Sequence, residues 1–393
     1  MIKKLEKIES FNGRKTWKLF HATDFDSLMY PNFCISLALG LFPYKWESTR
    51  YVLSRKRFVC SVATIPILVG LMLFLLYEMN FGNLSYSALT SKIDTNFVLI
   101  FYVMATVVMQ CCSLSRLHVI KNLLEASQIL SPKDFNDLAK LFHTKDILGF
   151  LFLAIHLPNC FKGNAYVTAR HLTFLYLMIV NFLLDMSYMN CVCVLKACFK
   201  KVNECLEQLN KSSTNDVSVS EIPWVEKAPG NKHRNTLLLT KLKSLLEKHL
   251  QISDVVQLLN NTFLVKIVTL VITTFIIVTF NSYFVILRMY RSFGQHLQPQ
   301  FWYIQFLSSI LYEMSKFMML IWACETAKNE ALKIGTTVHD ARSNTTDTLM
   351  KHELELFPLQ VLQRDNTFSA RAVTMNAALL TQIAGDITII NKQ

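Results

Sequence analysis

Four stretches of this chain are long and apolar enough to cross a bilayer as helices: Phe58–Tyr77, Phe97–Leu114, Leu172–Leu195 and Phe263–Leu287. A spanning helix needs about 20 mostly apolar residues, and it pairs every backbone polar group internally where no water can. A fifth stretch, Phe301–Cys324, has the length but carries Glu313 and Lys316. Two more are weaker. Ile147–Phe161 is short, with Pro158 near its end, and Met375–Gln393 is short and polar. Counting both predicts an all-α membrane protein of seven transmembrane helices. The composition agrees: of 393 residues 52% are hydrophobic and only 17% charged, too apolar for an ordinary soluble domain.

The first apolar run begins only at Phe58, so it must itself direct insertion. Lys45, Arg50, Arg55, Lys56 and Arg57 precede it, whereas the loop after it holds only Lys92. Basic residues stay on the cytoplasmic side, which predicts an N-terminus inside and, with seven spans, a C-terminus outside. The net charge of +12 is assigned to cytoplasmic loops facing anionic lipid, not to nucleic acid. No basic patch outside the spans is interleaved with aromatics. The ten cysteines are read as packing residues, because most sit in spans and Cys191-x-Cys193 has no second ligand pair nearby.

This divides the chain into a cytoplasmic region 1–57, spans one to four over 58–195, and cytoplasmic helices with a linker over 196–262. Spans five and six follow over 263–324, further cytoplasmic helices over 325–370, and the last span over 371–393. Pro31–Tyr44 is apolar but too short to span, so it is expected to be interfacial or re-entrant on the inner side. Ser212–Arg234 reads as a flexible linker. On either side of it, Val202, Cys205, Leu206 and Leu209, and then Leu242, Leu245, Leu246, Val255, Val256 and Leu259, recur at helical spacing. Spans four and five are therefore expected to continue into the cytoplasm as amphipathic helices. Such stripes suit either subunit assembly or packing within one subunit. Asn83-Leu84-Ser85 is the one glycosylation sequon expected on an outer face.

Ionisable residues inside spans are functional candidates by default. Asp185, Lys266, Glu313 and Lys316 qualify. Glu313 and Lys316 stand three apart and can pair on one helix, and Lys266 is expected to snorkel to the inner surface. On the outer halves of the spans lie Tyr102, His156, Tyr176, Asn181, Asn281, Tyr283, Trp302 and Gln305. Their aromatic and amide groups together are expected to line a small-molecule pocket open to the outside, of a polarity suited to uncharged or weakly polar compounds. No Gly-rich phosphate loop, metal-binding HExxH or nucleophile elbow is present, so neither an enzyme nor a cofactor is expected. His249 and His352 are expected to be solvated.

Several motifs carry a resemblance. They are Gly40-Leu41-Phe42-Pro43-Tyr44 before the first span, Tyr188-Met-Asn-Cys191-Val-Cys193 at the end of the fourth, and Ala323-Cys324-Glu325-Thr326-Ala327-Lys328-Asn329-Glu330-Ala331 after the sixth. His352-Glu353-Leu354-Glu355-Leu356-Phe357 and Thr367-Phe368-Ser369-Ala370 precede the last. Together they resemble the insect gustatory receptors over nearly the full length, above all the moth and butterfly branch usually regarded as bitter receptors.

The resemblance implies a tetrameric, ligand-gated, nonselective cation channel in the plasma membrane of gustatory neurons, with a small-molecule tastant as its ligand. The cytoplasmic halves of the last four helices would form a shared anchor. The seventh helix would line the pore, with Thr381, Gln382, Asp386 and Thr388 facing it. That helix departs from the family pattern of a Thr-Tyr pair, five residues, then Gln-Phe. Ile389 stands where Tyr is expected, and Gln393 comes before the Gln-Phe. Met375–Ile390 would cover only about 24 Å of a roughly 30 Å core. The expectation is a truncated or altered last span, with a non-conducting variant of such a receptor as an alternative reading. A G-protein-coupled type of receptor is the other reading. It would place the N-terminus outside and typically show an Asp-Arg-Tyr-type motif after span three, which is lacking.

Overall fold

The computed structural model describes residues 17–47, 50–82, 89–155, 165–217, 230–292, 301–344, 351–355, 357, 366–370, 373–375, 378–379, 381–382 and 385. Helix α1 (Phe25–Ala38) opens with a reciprocal cap. Asp24 accepts from the Ser27 amide at 2.8 Å, and Ser27 Oγ accepts from the Asp24 amide at 3.2 Å. The helix ends where Gly40 takes φ of +75°, a conformation that costs a residue without a Cβ nothing. The Leu41 amide then reaches back to the Ser36 carbonyl at 2.8 Å and the Gly40 amide to Leu37 at 3.1 Å, a Schellman ending. Phe42 stacks on Phe33 with centroids 4.4 Å apart, and Tyr44 donates to the Ser113 carbonyl at 2.6 Å. The Gly40–Tyr44 motif is thus a joint: a helix stop, a buried aromatic anchor and a tie to the next element. An antiparallel hairpin of β1 (Tyr44–Glu47) and β2 (Arg50–Leu53) follows it.

Helix α2 (Arg55–Asn80) is apolar and peripheral, with only 17% of its most apolar window buried. Val59, Ile67, Leu73 and Phe74 point away from the bundle, where a bilayer would cover them. Helix α3 (Leu89–Cys111) bends by 67° at Cys112 into α4 (Ser113–Ala126), so the apolar run Phe97–Leu114 does not continue as one straight helix. Helix α5 (Pro132–Ala154) starts from a Ser131/Asp134 capping box with proline at its first position.

Three very long helices follow: α6 (Ala165–Val217), α7 (Gly230–Ser292) and α8 (Phe301–Asn344), of 53, 63 and 44 residues. At 1.5 Å per residue even α8 is roughly twice the length of a bilayer core, so each is an apolar segment joined to a polar projection, as the periodicity predicts. The helices also run into both ends of the segment read as a linker, so Ser212–Val217 and Gly230–Arg234 are helical. Helix α6 is the central element: 83% of its apolar window is buried, against 44% for α7, and it packs chiefly on α8 and α7.

The projections consume their own apolar stripes. Val202, Leu206, Leu242, Ile252, Val255, Val256 and Leu259 are buried within this one chain. His249, expected to be solvated, is fully buried between the rings of Phe199 and Phe357, because its helical position faces α6 and not water. His352 is exposed, as expected. The motif around it docks through buried Leu354 and Phe357, with ion pairs Lys243–Glu353 at 3.0 Å and Arg342–Glu355 at 2.8 Å. The Thr367–Ala370 motif is tied in turn. Asn260 donates to the Thr367 carbonyl at 2.8 Å, and β3 (Ser369–Ala370) pairs with β4 (Val373–Thr374).

Among the described residues α2, α6 and α7 are each long and apolar enough to cross a membrane, and the bent α3–α4 pair passes the same test only when its two helices are taken together as one span. The architecture is that of a multi-pass helical membrane protein. The sequon at Asn83, Cys160 and the end of the chain after Gly385 lie outside the described residues.

Candidate functional site

The four ionisable residues scattered over spans four, five and six meet in one place. Asp185 on α6 lies 2.9 Å from Lys266 on α7 and 3.3 Å from Lys316 on α8. Lys316 also pairs with Glu313, one turn away on the same helix, at 2.9 Å. All four side chains are only 2–3% exposed. Two carboxylates face two ammonium groups, so the cluster balances its formal charge.

Neutral side chains complete it. Tyr102 on α3 donates to Glu313 Oε1 at 3.2 Å, and Lys266 donates to Asn181 Oδ1 at 3.0 Å. Asn181 is one turn before Asp185, and its own amide nitrogen donates to the carbonyls of Leu177 at 2.9 Å and Tyr102 at 3.3 Å. Lys316 Nζ stands 5.3 Å from the centre of the Tyr312 ring, within cation–π range. Four helices are therefore tied through one buried polar knot. Removing two charges from water costs several kcal/mol each, which their pairing offsets only while the geometry holds.

The pairing of Glu313 with Lys316 is as the spacing predicts. Lys266 corrects the reading. It does not snorkel, because Asp185 and Asn181 offer partners inside the bundle at shorter reach than the surface. The signal was present as charge balance: two acids and two bases in otherwise apolar spans.

Of the residues expected to line a pocket, Tyr102 and Asn181 come together here. The others take separate partners. Asn281 is buried and donates to Ser309 Oγ at 3.3 Å. The Tyr176 hydroxyl donates to the Leu39 carbonyl at 3.4 Å, at the turn after α1. Tyr283 is 43% exposed beside Phe284. His156 and the side chains of Trp302 and Gln305 lie outside the described residues. Of the expected pore residues, Thr381 and Gln382 are helical and exposed, with Thr381 Oγ1 donating to Ala378 O at 2.8 Å, whereas Asp386 and Thr388 lie outside the described residues. Among the described residues no group of His, Cys, Asp or Glu is placed to hold a metal ion.

A multi-pass helical bundle with long polar projections and a polar knot in its apolar interior has the build of a membrane receptor or transporter. The 7tm chemosensory receptor family decides between them: its model matches residues 29–385, and the chain belongs to that family. Its fold is similar to that of the insect olfactory receptor OR5 from Machilis hrabei, with a TM-score of 0.67 at 12% identity over 92% of this chain and 96% of that one. The same receptor in complex with eugenol gives a TM-score of 0.65 at the same identity and coverage. No curated protein matches the sequence. Family and fold are those of chemosensory receptors, which are not enzymes.

Proposed function

We propose that this chain is a gustatory receptor of the bitter type, a subunit of a tastant-gated cation channel that detects small plant-derived compounds. Seven spans, an N-terminus inside and assembly into a homo- or hetero-tetramer belong to this reading. The observation that carries it is the knot joining Tyr102, Asn181, Asp185, Lys266, Glu313 and Lys316 in the apolar interior. A buried ionic network between helices has a discrete bonded arrangement, and separating α6 from α7 or α8 must break it. A ligand that binds one arrangement better than another shifts the balance between them. Support for a small-molecule ligand comes from the fold's likeness to a receptor solved with eugenol. Tyr102 and Asn181, whose polar groups belong to the knot, are the residues through which a ligand among Asn281, Tyr283, Trp302 and Gln305 would reach it.

The test is current recording from cells expressing this chain, alone and with a partner receptor, against a panel of plant compounds. An agonist found this way should lose potency about 10-fold or more on Tyr102→Phe or Asn181→Leu, at equal surface level. Potency unchanged in both variants would remove the knot from ligand recognition. The G-protein-coupled alternative is separated by an N-terminal tag. Antibody access in intact cells, or agonist responses abolished by blocking G-protein turnover, would favour it.

A further inference from the structure

Cys191, Cys193, Cys198 and Cys324 are buried in the bundle, as expected of packing residues, but Cys60 on α2 and Cys111 on α3 are exposed. Each continues the outward face of its own helix. On α2, Cys60, Ile67 and Phe74 stand seven residues apart, a spacing that stays on one face, and Ile67 and Phe74 are 67% and 48% exposed. On α3, Phe97, Met104 and Cys111 repeat that spacing, and Phe97 and Met104 are 47% and 41% exposed. In a multi-pass membrane protein, large apolar side chains turned outward in this way face lipid.

The two thiols also share a depth. Helices α2 and α3 run antiparallel, tied at one end by Asn96 donating to Asn80 Oδ1 at 3.0 Å and at the other by Gln110 donating to Thr64 Oγ1 at 2.8 Å. Cys111 follows Gln110 directly, and Cys60 lies one turn, about 6 Å, beyond Thr64. Just past them both apolar faces stop. Arg55 and Lys56 are exposed at the start of α2, and α3 turns through 67° into α4. Cys60 and Cys111 therefore sit where lipid gives way to water, on the side marked by basic residues.

We propose that Cys60 and Cys111 are sites of S-acylation by long-chain fatty acyl groups at the cytoplasmic membrane boundary, where juxtamembrane thiols take this modification. The proposal rests on the reading that the N-terminus is inside. Each Sγ, as thiolate, attacks the carbonyl carbon of a long-chain acyl thioester presented by a membrane acyltransferase. The new S–C bond replaces the donor's, and the donor thiol leaves with the proton that the cysteine gave up. The attached chain then lies along the outward face of its own helix, past Ile67 and Phe74 or past Met104 and Phe97. Two chains hold this end of the α2–α3 pair, and the bend beside it, at the membrane boundary.

The experiment expresses the full chain in insect cells with an N-terminal epitope. Free thiols are blocked, thioesters are cleaved with neutral hydroxylamine, and the released thiols are counted with a heavy maleimide that shifts the protein band. Wild type should gain two shifts, Cys60→Ala and Cys111→Ala one each, and the double variant none. Without hydroxylamine no shift should appear. Both side chains are exposed, so the variants should unfold at the wild-type temperature. Should one fail to fold, mass spectrometry of wild-type peptides reads the acyl group on Cys60 and Cys111 directly. No shift in a wild-type chain whose epitope is shielded in intact cells overturns the proposal alone. An epitope open to antibody in intact cells overturns the inside reading and the proposal with it. A single wild-type shift overturns the assignment of whichever cysteine can be replaced without losing it. Shifts kept by the double variant, on Cys34 or Cys112, overturn the assignment to this pair.

Discussion

Lys266 Nζ lies 2.9 Å from Asp185 Oδ1, and neither side chain reaches the surface. An ion pair so placed is costly to break and cheap to remove whole. Lys266→Met leaves two carboxylates sharing Lys316 and is expected to cost roughly 3–5 kcal/mol. Combining it with Asp185→Asn leaves a balanced Glu313–Lys316 pair and should recover most of that loss. Thermal unfolding of the wild type, Lys266→Met and the double variant in detergent reads the loss and its recovery. A double variant as unstable as Lys266→Met would show that pairing is not what holds these helices.

The Tyr102 hydroxyl ties α3 to α8 through Glu313, and its loss should be felt as stability even without ligand. Tyr102→Phe keeps the ring and deletes one hydrogen bond to a charged acceptor, worth about 1.5–3 kcal/mol. A melting temperature equal to wild type would mean that Glu313 is satisfied elsewhere.

Gly149 of α5 is pressed against the ring of Phe182 on α6, so any Cβ at this position would overlap the ring. Phe182 is itself buried and packs near Tyr312 at 6.4 Å between centroids. Gly149→Ala is therefore expected to destabilise by about 1–3 kcal/mol through overpacking, despite alanine's better helix propensity. Unfolding measurements on Gly149→Ala and on Gly335→Ala, where a Cβ meets nothing, give the contrast.

The chain before α1 is pinned by a histidine. The Phe20 amide donates to His143 Nδ1 at 2.7 Å, and Phe20 adopts φ of +61°, a strained conformation for a bulky residue. Burial holds the His143 pKa below its ordinary value, with Lys145 acting the same way and Asp146 opposing. The folded state thus favours neutral imidazole, and a protonated Nδ1 could not accept the Phe20 amide. The stabilisation is complete above about pH 6.5 and declines as pH falls below it toward the depressed value. Hydrogen exchange at residues 17–21 should quicken from about pH 7.5 to about pH 5.5, after correction for intrinsic rates. His143→Asn, which retains an acceptor, should abolish the dependence.

Much of the fold was legible in the residues themselves. Apolar runs of span length located α2, α6 and α7, and the 3.6-residue stripes extended two of them into polar projections. The bend at Cys112 was hidden, because an apolar run continues across it and hydropathy carries no direction. The destination of the stripes was open as well. Leu242, Val255 and Leu259 turn inward on their own chain, which only packing could decide.

The candidate site divides in the same way. Residue type alone made Asp185, Lys266, Glu313 and Lys316 exceptional, since a charge in hydrocarbon demands a reason. Which charge meets which depended on the rotation and depth of three long helices packed side by side. Helical rotation is set by contacts far along the chain, so local sequence could pair Glu313 with Lys316 but could not bring Lys266 to Asp185. Membrane residence, helical class and family were determined by the sequence. The knot and the burial of His249 and Arg116 were decided by tertiary structure, because burial is a property of neighbours that a linear pattern does not name.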